Sequence, residues 1–282
     1  METWTVKSLL AWAREWLAKK GVENPRLDAE LLLAKALNVD RVRLYIDTDK
    51  PLGADELARF KPMVQRRGAR EPVAYILGVR EFYGRPFAVG PGVFIPRPET
   101  ELLVQLALEA IPPDARVLDL CAGSGAVGVS IAFTRPQAQV DLVELSRDAA
   151  VFTRQNVEKH APGRANVFEG DLFAALPAGK RYHAVVSNPP YVPLRDKPTL
   201  ARELLDHEPA LALFSGDDGL SALKRIVPEA PAWLEPGGFF GVEIDPPQAA
   251  AVVALCEAAG LTGIRVQRDL AGLDRHVVAR RT

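Results

Sequence analysis

The sequence predicts an α/β protein: a doubly wound, largely parallel sheet with an antiparallel last strand, preceded by a small all-helical N-terminal domain. Three observations carry that prediction. From about residue 97 onward, short apolar runs alternate with helical segments, the pattern of strands joined by crossover helices. One of those runs, residues 117–120, enters a glycine-rich turn that opens another apolar segment of helix length. Residues 1–80, by contrast, show helical periodicity only. The expected divisions are therefore a helical domain over 1–80, a β-hairpin linker over 81–96 and the sheet domain over 97–282.

In the helical domain Thr5 is placed to cap a helix that carries Val6, Leu9, Leu10, Ala13, Trp16 and Leu17 on one face and stops at Gly21. Asn24-Pro25 opens the next helix, with proline at the first helical position and Leu27, Leu31 and Leu32 expected to face inward. Shorter helices are expected over 41–46, 54–67 and 72–77. The basic cluster Arg66, Arg67 and Arg70 reads as a solvated helix end and is assigned no role. In the linker, Phe82, Tyr83, Phe87 and Val89 around Gly84 and Gly90 form a hairpin pattern. The prolines of Ile95-Pro-Arg-Pro98 keep the chain extended up to a helix starting near Glu99; Arg97 is assigned no chemistry and could equally pair with Glu99 or Glu101.

Strands are expected at 115–120, 139–144, 165–169, 182–187, 238–244, 263–268 and 275–280, the last two joined by a short loop into an antiparallel hairpin. Ligands of such sheets bind at the carboxyl ends of strands, where the winding direction switches. That brings Asp119, Glu144 and Asn188 toward one place.

Composition narrows the function classes. A chain of 282 residues with 48% hydrophobic and 25% charged content is an ordinary globular protein of two domains rather than a disordered one. A net charge of −1 argues against a broad nonspecific nucleic-acid surface. No apolar stretch reaches the about 18 residues a membrane span needs, and Trp4, Lys7, Trp12 and Arg14 interrupt any signal-peptide core, so the cytoplasm is the expected compartment. Cys121 and Cys256 are far apart and the four histidines are scattered, so no metal site is expected.

The chemistry sits in two stretches. Asn188-Pro189-Pro190-Tyr191 directly follows the strand expected at 182–187. Consecutive prolines fix φ and lack N–H groups, so the carbonyls of Asn188 and Pro189 are not drawn into a ladder or helix. A planar NH2, as in a glutamine amide or the exocyclic amine of adenine, has two N–H donors that need two acceptors. The Asn188 side-chain oxygen and the Pro189 carbonyl can be those acceptors, with the Tyr191 ring packed on the amide plane. The nitrogen then faces an electrophile above that plane, and a sulfonium methyl is the electrophile this suggests. A plain Pro-Pro turn ending a strand has the same sequence; the glycine-rich loop upstream favours a site.

That loop is the second stretch: Cys121, Ala122, Gly123, Ser124 and Gly125, ahead of a helix over 126–133. Gly123 and Gly125 let the backbone turn sharply and approach a ligand, and the helix N-terminus points at it. Gly123, Gly125 and Gly128 also spell G-x-G-x-x-G, so a dinucleotide is an alternative. Glu144, about 20 residues on and placed for ribose hydroxyls, suits both readings. Asp119 does not, because a carboxylate just before the loop attracts the ammonium of a methionyl group and repels a pyrophosphate. Asp171 offers a carboxylate to an adenine amine, with Leu172 as an apolar wall, or else caps a short helical turn. Glu243 is either a pocket carboxylate or a structural one, and His183 reads as structural.

On these residues the chain resembles the class I S-adenosylmethionine-dependent methyltransferases. More narrowly, it resembles the protein-(glutamine-N5) methyltransferase family that modifies peptide-chain release factors. The narrower resemblance rests on Arg26-Leu-Asp-Ala-Glu-Leu-Leu-Leu33, Glu71-Pro-Val-Ala-Tyr-Ile-Leu-Gly78 and Phe94-Ile-Pro-Arg-Pro-Glu-Thr-Glu101, together with the glycine loop. Asn-Pro-Pro-Tyr alone is shared with adenine-N6 DNA methyltransferases. The resemblance implies a Rossmann-like class I fold, with S-adenosylmethionine as methyl donor and S-adenosylhomocysteine as product. It implies a cofactor site lined by Asp119, Cys121, Ala122, Gly123, Ser124, Gly125, Glu144, Asp171, Leu172 and Asn188. The substrate glutamine would be held by Asn188, Pro189, Pro190 and Tyr191, with Asn188, Pro189 and Tyr191 catalytic.

The implied partners are release factors 1 and 2, docked by the helical domain so that their Gly-Gly-Gln loop enters the pocket of a monomeric enzyme. No membrane, nucleic-acid substrate or metal is implied. Two departures stand out. Cys121 occupies a position where many relatives have glycine, which implies a negative φ there, and Leu172 stands where relatives can carry tryptophan, which weakens stacking on adenine.

Three other functions fit parts of the chain. An adenine-N6 methyltransferase usually needs a target-recognition domain and a basic stripe, neither visible here. A dehydrogenase leaves Asp119 and the Asn-Pro-Pro-Tyr turn unexplained. A cofactor-binding translation factor without catalysis has no need of an intact Asn188, Pro189, Pro190 and Tyr191.

Overall fold

A computed structural model of the chain describes residues 4–282. Its described residues form two compact units, one of residues 4–79 with 201–207, the other of 80–200 with 208–282.

The first unit is helical: α1 (Val6–Lys19), α2 (Pro25–Leu37), α3 (Arg41–Ile46), α4 (Ala54–Gly68) and α5 (Val73–Leu77). A reciprocal capping box starts α1, with Ser8 N–H donating to the Thr5 hydroxyl at 3.2 Å and Thr5 N–H donating to the Ser8 hydroxyl at 2.9 Å. The helix buries Val6, Leu9, Ala13 and Leu17 against Leu32, Leu33, Leu44, Phe60 and Val64. Leu27 is a correction to the expected inward face of α2, since it is 40% exposed. The side of α2 that is buried includes the carboxylates Asp28 and Glu30 beside Leu32 and Leu33, each paired with arginine, which turns Leu27 outward.

The basic cluster also departs from expectation, because Arg67 is buried rather than solvated. Its guanidinium donates to Asp28 at 2.6 Å and to Glu203 at 3.2 Å, and Arg70 holds Glu203 at 2.6 Å. Glu203 lies on the short helix Arg202–His207, and these ion pairs are the physical reason that this stretch of late sequence belongs to the first unit.

The second unit opens on a hairpin of β1 (Val79–Phe82) and β2 (Arg85–Ala88). Tyr83 and Gly84 have φ of 49° and 69°, both left-handed, as a two-residue type I′ turn requires. Phe82 and Phe87 meet edge to face at 5.9 Å and join the core on one side of the main sheet, so the hairpin is built into this unit.

The main sheet has seven strands in the order β5-β4-β3-β6-β7-β9-β8. They are β3 (Arg116–Leu120), β4 (Gln139–Glu144), β5 (Ala165–Glu169), β6 (Tyr182–Ser187), β7 (Leu234–Glu243), β8 (Leu261–Arg268) and β9 (Asp274–Arg281). Strands β3 to β7 pair with one another in parallel, and β9 runs antiparallel to both β7 and β8. Both faces are covered, so the strands read as apolar runs whose alternate residues enter different cores. Val117, Val140, Leu142, Ala184 and Val186 pack on one side, Leu118, Leu120, Val143, Val185 and Val242 on the other.

Helix α6 (Glu101–Ala110) precedes β3, α7 (Ala126–Thr134) follows it, and α8 (Arg147–His160) links β4 to β5. Winding reverses at β3, which lies between β4 and β6. Leu120 is level with Val143 on one side and Ser187 on the other, and Ser187 is level with Val242. The next residue of each strand path, Cys121, Glu144, Asn188 and Glu243, therefore lies along one row at the carboxyl edge.

Candidate active site

The loop after β3 is held by its own neighbourhood. Gly123 N–H donates to Glu144 Oε2 at 2.7 Å, and Ser146 N–H donates to Glu144 Oε1 at 2.7 Å. The Thr153 hydroxyl donates to the Gly123 carbonyl at 2.6 Å, and Asn156 Nδ2 donates to the Ser124 carbonyl at 2.9 Å. Both of these side chains come from α8. Glu144 thus pins the glycine turn, a role the sequence reading does not contain, besides lying at the strand end where ribose hydroxyls are expected. A side chain on Gly128 would come within 3.0 Å of Asp119 and Leu142, so the third glycine serves close packing of α7 on the sheet. At Gly123 a Cβ would meet nothing within 4 Å, which leaves the loop's outer face open for a ligand lying across it.

Asp119 is 1% exposed, and its Oδ2 accepts from Gly128 N–H at 2.8 Å. Burial, reinforced by the charge of Glu144, pushes its pKa up to about 7 against the opposing pull of that N–H. A cation brought beside it would restore its charge. Burial likewise raises the carboxyl of Glu144 above its ordinary range.

Cys121 corrects an expectation. Its φ is 57°, left-handed, not negative, because the chain must reverse immediately after β3 whatever residue stands there. Its thiol, pushed up to about 12 by burial and by Glu144, is inert at neutral pH. Leu172 is left-handed too, at φ 49°. Asp171 occupies the N-cap position of the turn Leu172–Ala175 without making a cap hydrogen bond, and its carboxylate pairs with Arg225 at 2.8 Å.

The corner after β6 is assembled differently. Asn188 is half-buried and Pro189 buried, and neither the Asn188 Oδ1 nor the Pro189 carbonyl accepts a hydrogen bond among the described residues. Asn188 Nδ2 donates to the Thr100 hydroxyl at 3.1 Å. That hydroxyl donates to Glu243 Oε2 at 2.6 Å, and the Tyr191 hydroxyl donates to Glu243 Oε1 at 3.1 Å. Burial and the Glu243 charge raise the Tyr191 phenol well above its ordinary pKa, so it stays protonated. His276 Nε2 lies 3.5 Å from Glu243 Oε2, both side chains fully enclosed. The Tyr191 carbonyl accepts from Gln248 Nε2 at 2.8 Å, and Gly219 is a glycine because a Cβ there would lie 2.2 Å from that carbonyl.

Thr100, Gln248 and His276 are site-building residues that the sequence reading misses. Thr100 lies within the quoted Ile-Pro-Arg-Pro-Glu-Thr segment, which was the available signal. Arg97 pairs with Glu208, whose other oxygen accepts from Ile95 N–H at 3.1 Å, rather than with Glu99 or Glu101. Glu101 accepts instead from Tyr83 N–H at 2.9 Å. His183 Nδ1 accepts from Arg116 N–H at 3.0 Å at the opposite end of β6, a structural contact. Among the described residues, no group of three or more His, Cys, Asp or Glu side chains is placed to hold a metal ion, and no helix is long and apolar enough to cross a membrane.

A sheet of this order with β9 reversed, a glycine loop at the switch point and Asn-Pro-Pro-Tyr behind β6 define a class I methyltransferase fold. The fold is similar to that of the Thermus thermophilus 16S rRNA N2 G1207 methyltransferase solved with AdoMet and guanosine. The two are 24% identical, with a TM-score of 0.52 over 72% of this chain and 50% of that one. Residues 8–78 match the PrmC N-terminal domain family, and residues 87–218 match the methyltransferase small domain family. The release factor glutamine methyltransferase of Geobacter sulfurreducens is 45% identical over 99% of this chain and 98% of its own length. That of Burkholderia pseudomallei is 45% identical over 96% of each. The chain belongs to the release factor glutamine methyltransferase family.

Proposed function

We propose that this protein transfers a methyl group from S-adenosylmethionine to the side-chain amide nitrogen of the glutamine in the Gly-Gly-Gln motif of release factors 1 and 2. The observation that carries the reading is the pair of unclaimed acceptors, Asn188 Oδ1 and the Pro189 carbonyl, one strand away from the glycine loop. Two unclaimed acceptors on consecutive residues match in number the two N–H donors of a primary amide. The names of the full-length relatives support the same substrate class.

Bound S-adenosylmethionine supplies an electrophilic sulfonium methyl. The open face at Gly123, the carboxylates of Asp119 and Glu144, and the apolar side chains Leu172 and Leu145 suit its methionyl, ribose and adenine parts; Cys121, Ala122, Ser124 and Gly125 complete the lining, with Asp171 at its edge. Leu145, 50% exposed directly after Glu144, is the addition to the residues expected from sequence.

The amide nitrogen is a poor nucleophile because its lone pair is delocalised. Asn188 and Pro189 therefore contribute by orienting the NH2 and by hydrogen bonds that strengthen as the nitrogen becomes positive, while Pro190 stiffens the turn and Tyr191 walls the amide plane. The helical unit is assigned the docking of the release factor, and the enzyme is assigned to the cytoplasm as a monomer.

The test is mass spectrometry of a purified bacterial release factor after incubation with the protein and S-adenosylmethionine. A single methyl on the Gly-Gly-Gln glutamine, absent with Asn188→Ala, is expected. No methyl gain despite measured cofactor binding would overturn the substrate and direct the search to adenine-containing DNA.

A further inference from the structure

The hydrogen bonds behind Asn188 carry a direction. A carboxylate accepts only, and Glu243, 1% exposed, takes the Thr100 hydroxyl on one oxygen and the Tyr191 hydroxyl on the other. Threonine has a single hydroxyl proton. Once it is committed to Glu243 at 2.6 Å, the Thr100 oxygen can offer only a lone pair to Asn188 at 3.1 Å. The atom of Asn188 that faces Thr100 must then be the NH2, and the atom left facing outward must be the oxygen. An isolated asparagine has no such preference, because its oxygen and nitrogen are nearly the same size and the two flips differ only in their partners.

We propose that Thr100 and Glu243 are positioning residues that set the polarity of the Asn188 amide and, through the same carboxylate, the position of the Tyr191 ring. This deepens the reading of the site as a holder of a primary amide and rests on it. An outward oxygen accepts from an NH2 and repels a carboxylate, so the relay also selects glutamine over glutamate. Neither Thr100, 3% exposed, nor Glu243 touches substrate, and both act through Asn188 and Tyr191.

Thr100→Val keeps the shape of the side chain and deletes its hydroxyl. The expected result is a fall in kcat of about tenfold to hundredfold with KM for cofactor little changed, the size of effect that loss of reactant orientation produces. Thr100→Ser restores the hydroxyl and brings turnover back to within about threefold of the wild-type chain. Because the path from Thr100 through Asn188 is already lost in Asn188→Ala, the double variant Thr100→Val, Asn188→Ala loses less than the product of the two single losses, keeping only what Thr100 contributes to Tyr191 through Glu243. Two independent structural lesions would instead multiply.

A second readout needs no substrate. In ¹⁵N spectra of the full chain, the Asn188 side-chain NH2, assigned by its loss in Asn188→Ala, exchanges with solvent more slowly in the wild type than in Thr100→Val. Wild-type turnover in Thr100→Val, a multiplicative double variant, or unchanged NH2 exchange overturns the relay. A wild-type chain that fails to methylate a release factor overturns the substrate reading instead, and the exchange measurement still decides the orientation of Asn188.

Discussion

The methyl-donor loop and the amide-holding corner lie side by side on the carboxyl edge of one sheet, but they are held by different means. The loop is fixed at its backbone groups by side chains close in sequence, with Gly128 N–H bonded to Asp119 nine residues away and Gly123 N–H to Glu144 at a separation of 21. The corner depends on side chains from distant segments. Asn188 is held by Thr100 at a separation of 88, Tyr191 by Glu243 at 52, and Thr100 and Glu243 by each other at 143. Where several nearby side chains each anchor a backbone group, the turns survive change on the loop's outer face. A corner built from distant side chains fails when any one member is lost, because the remaining buried polar groups are left without partners.

Asn188→Ala is the sharpest way to break the comparison. It removes one of the two acceptors and leaves the Thr100 oxygen without its donor, so kcat falls on the order of 10²-fold or more in single-turnover methylation. Near-wild-type turnover would mean that the corner does not hold the reacting amide.

The same contrast explains what the sequence makes legible. Strand positions, the reversed last strand and the glycine loop follow from local periodicity and turn chemistry, and the structure has them within a few residues. The Asn-Pro-Pro-Tyr turn is legible because proline restricts its own backbone wherever it stands. What cannot be read locally is the choice of partner among many charges. Arg97 has Glu99 and Glu101 beside it in sequence yet pairs with Glu208, because the extended Pro-Arg-Pro segment sends its side chain away from the helix that follows. Arg67 looks like a solvated helix end and is instead buried between Asp28 and Glu203. Thr100 has no signal of its own, since its importance comes from a carboxylate brought to it by the sheet.

Within the loop half, Gly128→Ala is expected to matter more than any change on the outer face. The new methyl would lie 3.0 Å from Asp119 and from Leu142, both on strands that cannot move apart without breaking the sheet. The expected cost is about 2 kcal/mol, typical of overpacking a dense core. Equilibrium urea unfolding checks it, and an unchanged midpoint would show that α7 can shift away.

Asp119 gives the loop half a pH dependence. With its pKa near about 7, it is largely protonated in the acid range and ionised above neutrality. If it pairs with the cofactor ammonium, affinity rises with pH at up to about tenfold per unit below the pKa and levels off near neutrality. Calorimetric titration across that range checks this, and Asp119→Asn should flatten the rise. Without ligand the sign is opposite. The folded-state pKa is above the ordinary value of 3.8, so the stabilisation it brings is complete below that value and is lost as pH climbs toward about 7.

The smallest effect expected is at Cys121, and its sign is the informative part. A left-handed φ of 57° costs a residue with a Cβ about 1–2 kcal/mol, and Cys121→Gly relieves that cost. Glycine also frees the unfolded chain, which returns about 0.4–1 kcal/mol to the unfolded state. The small packing surface of the half-buried thiol is lost as well. The balance favours the folded state by about 0.5 kcal/mol, a slight rise in the urea midpoint with no change in methylation, since the backbone path and the bonds from Glu144 and Thr153 stay in place. A clear loss of stability would mean that the cysteine side chain, rather than the turn alone, holds this end of β3, and the loop would then share the side-chain dependence of the corner.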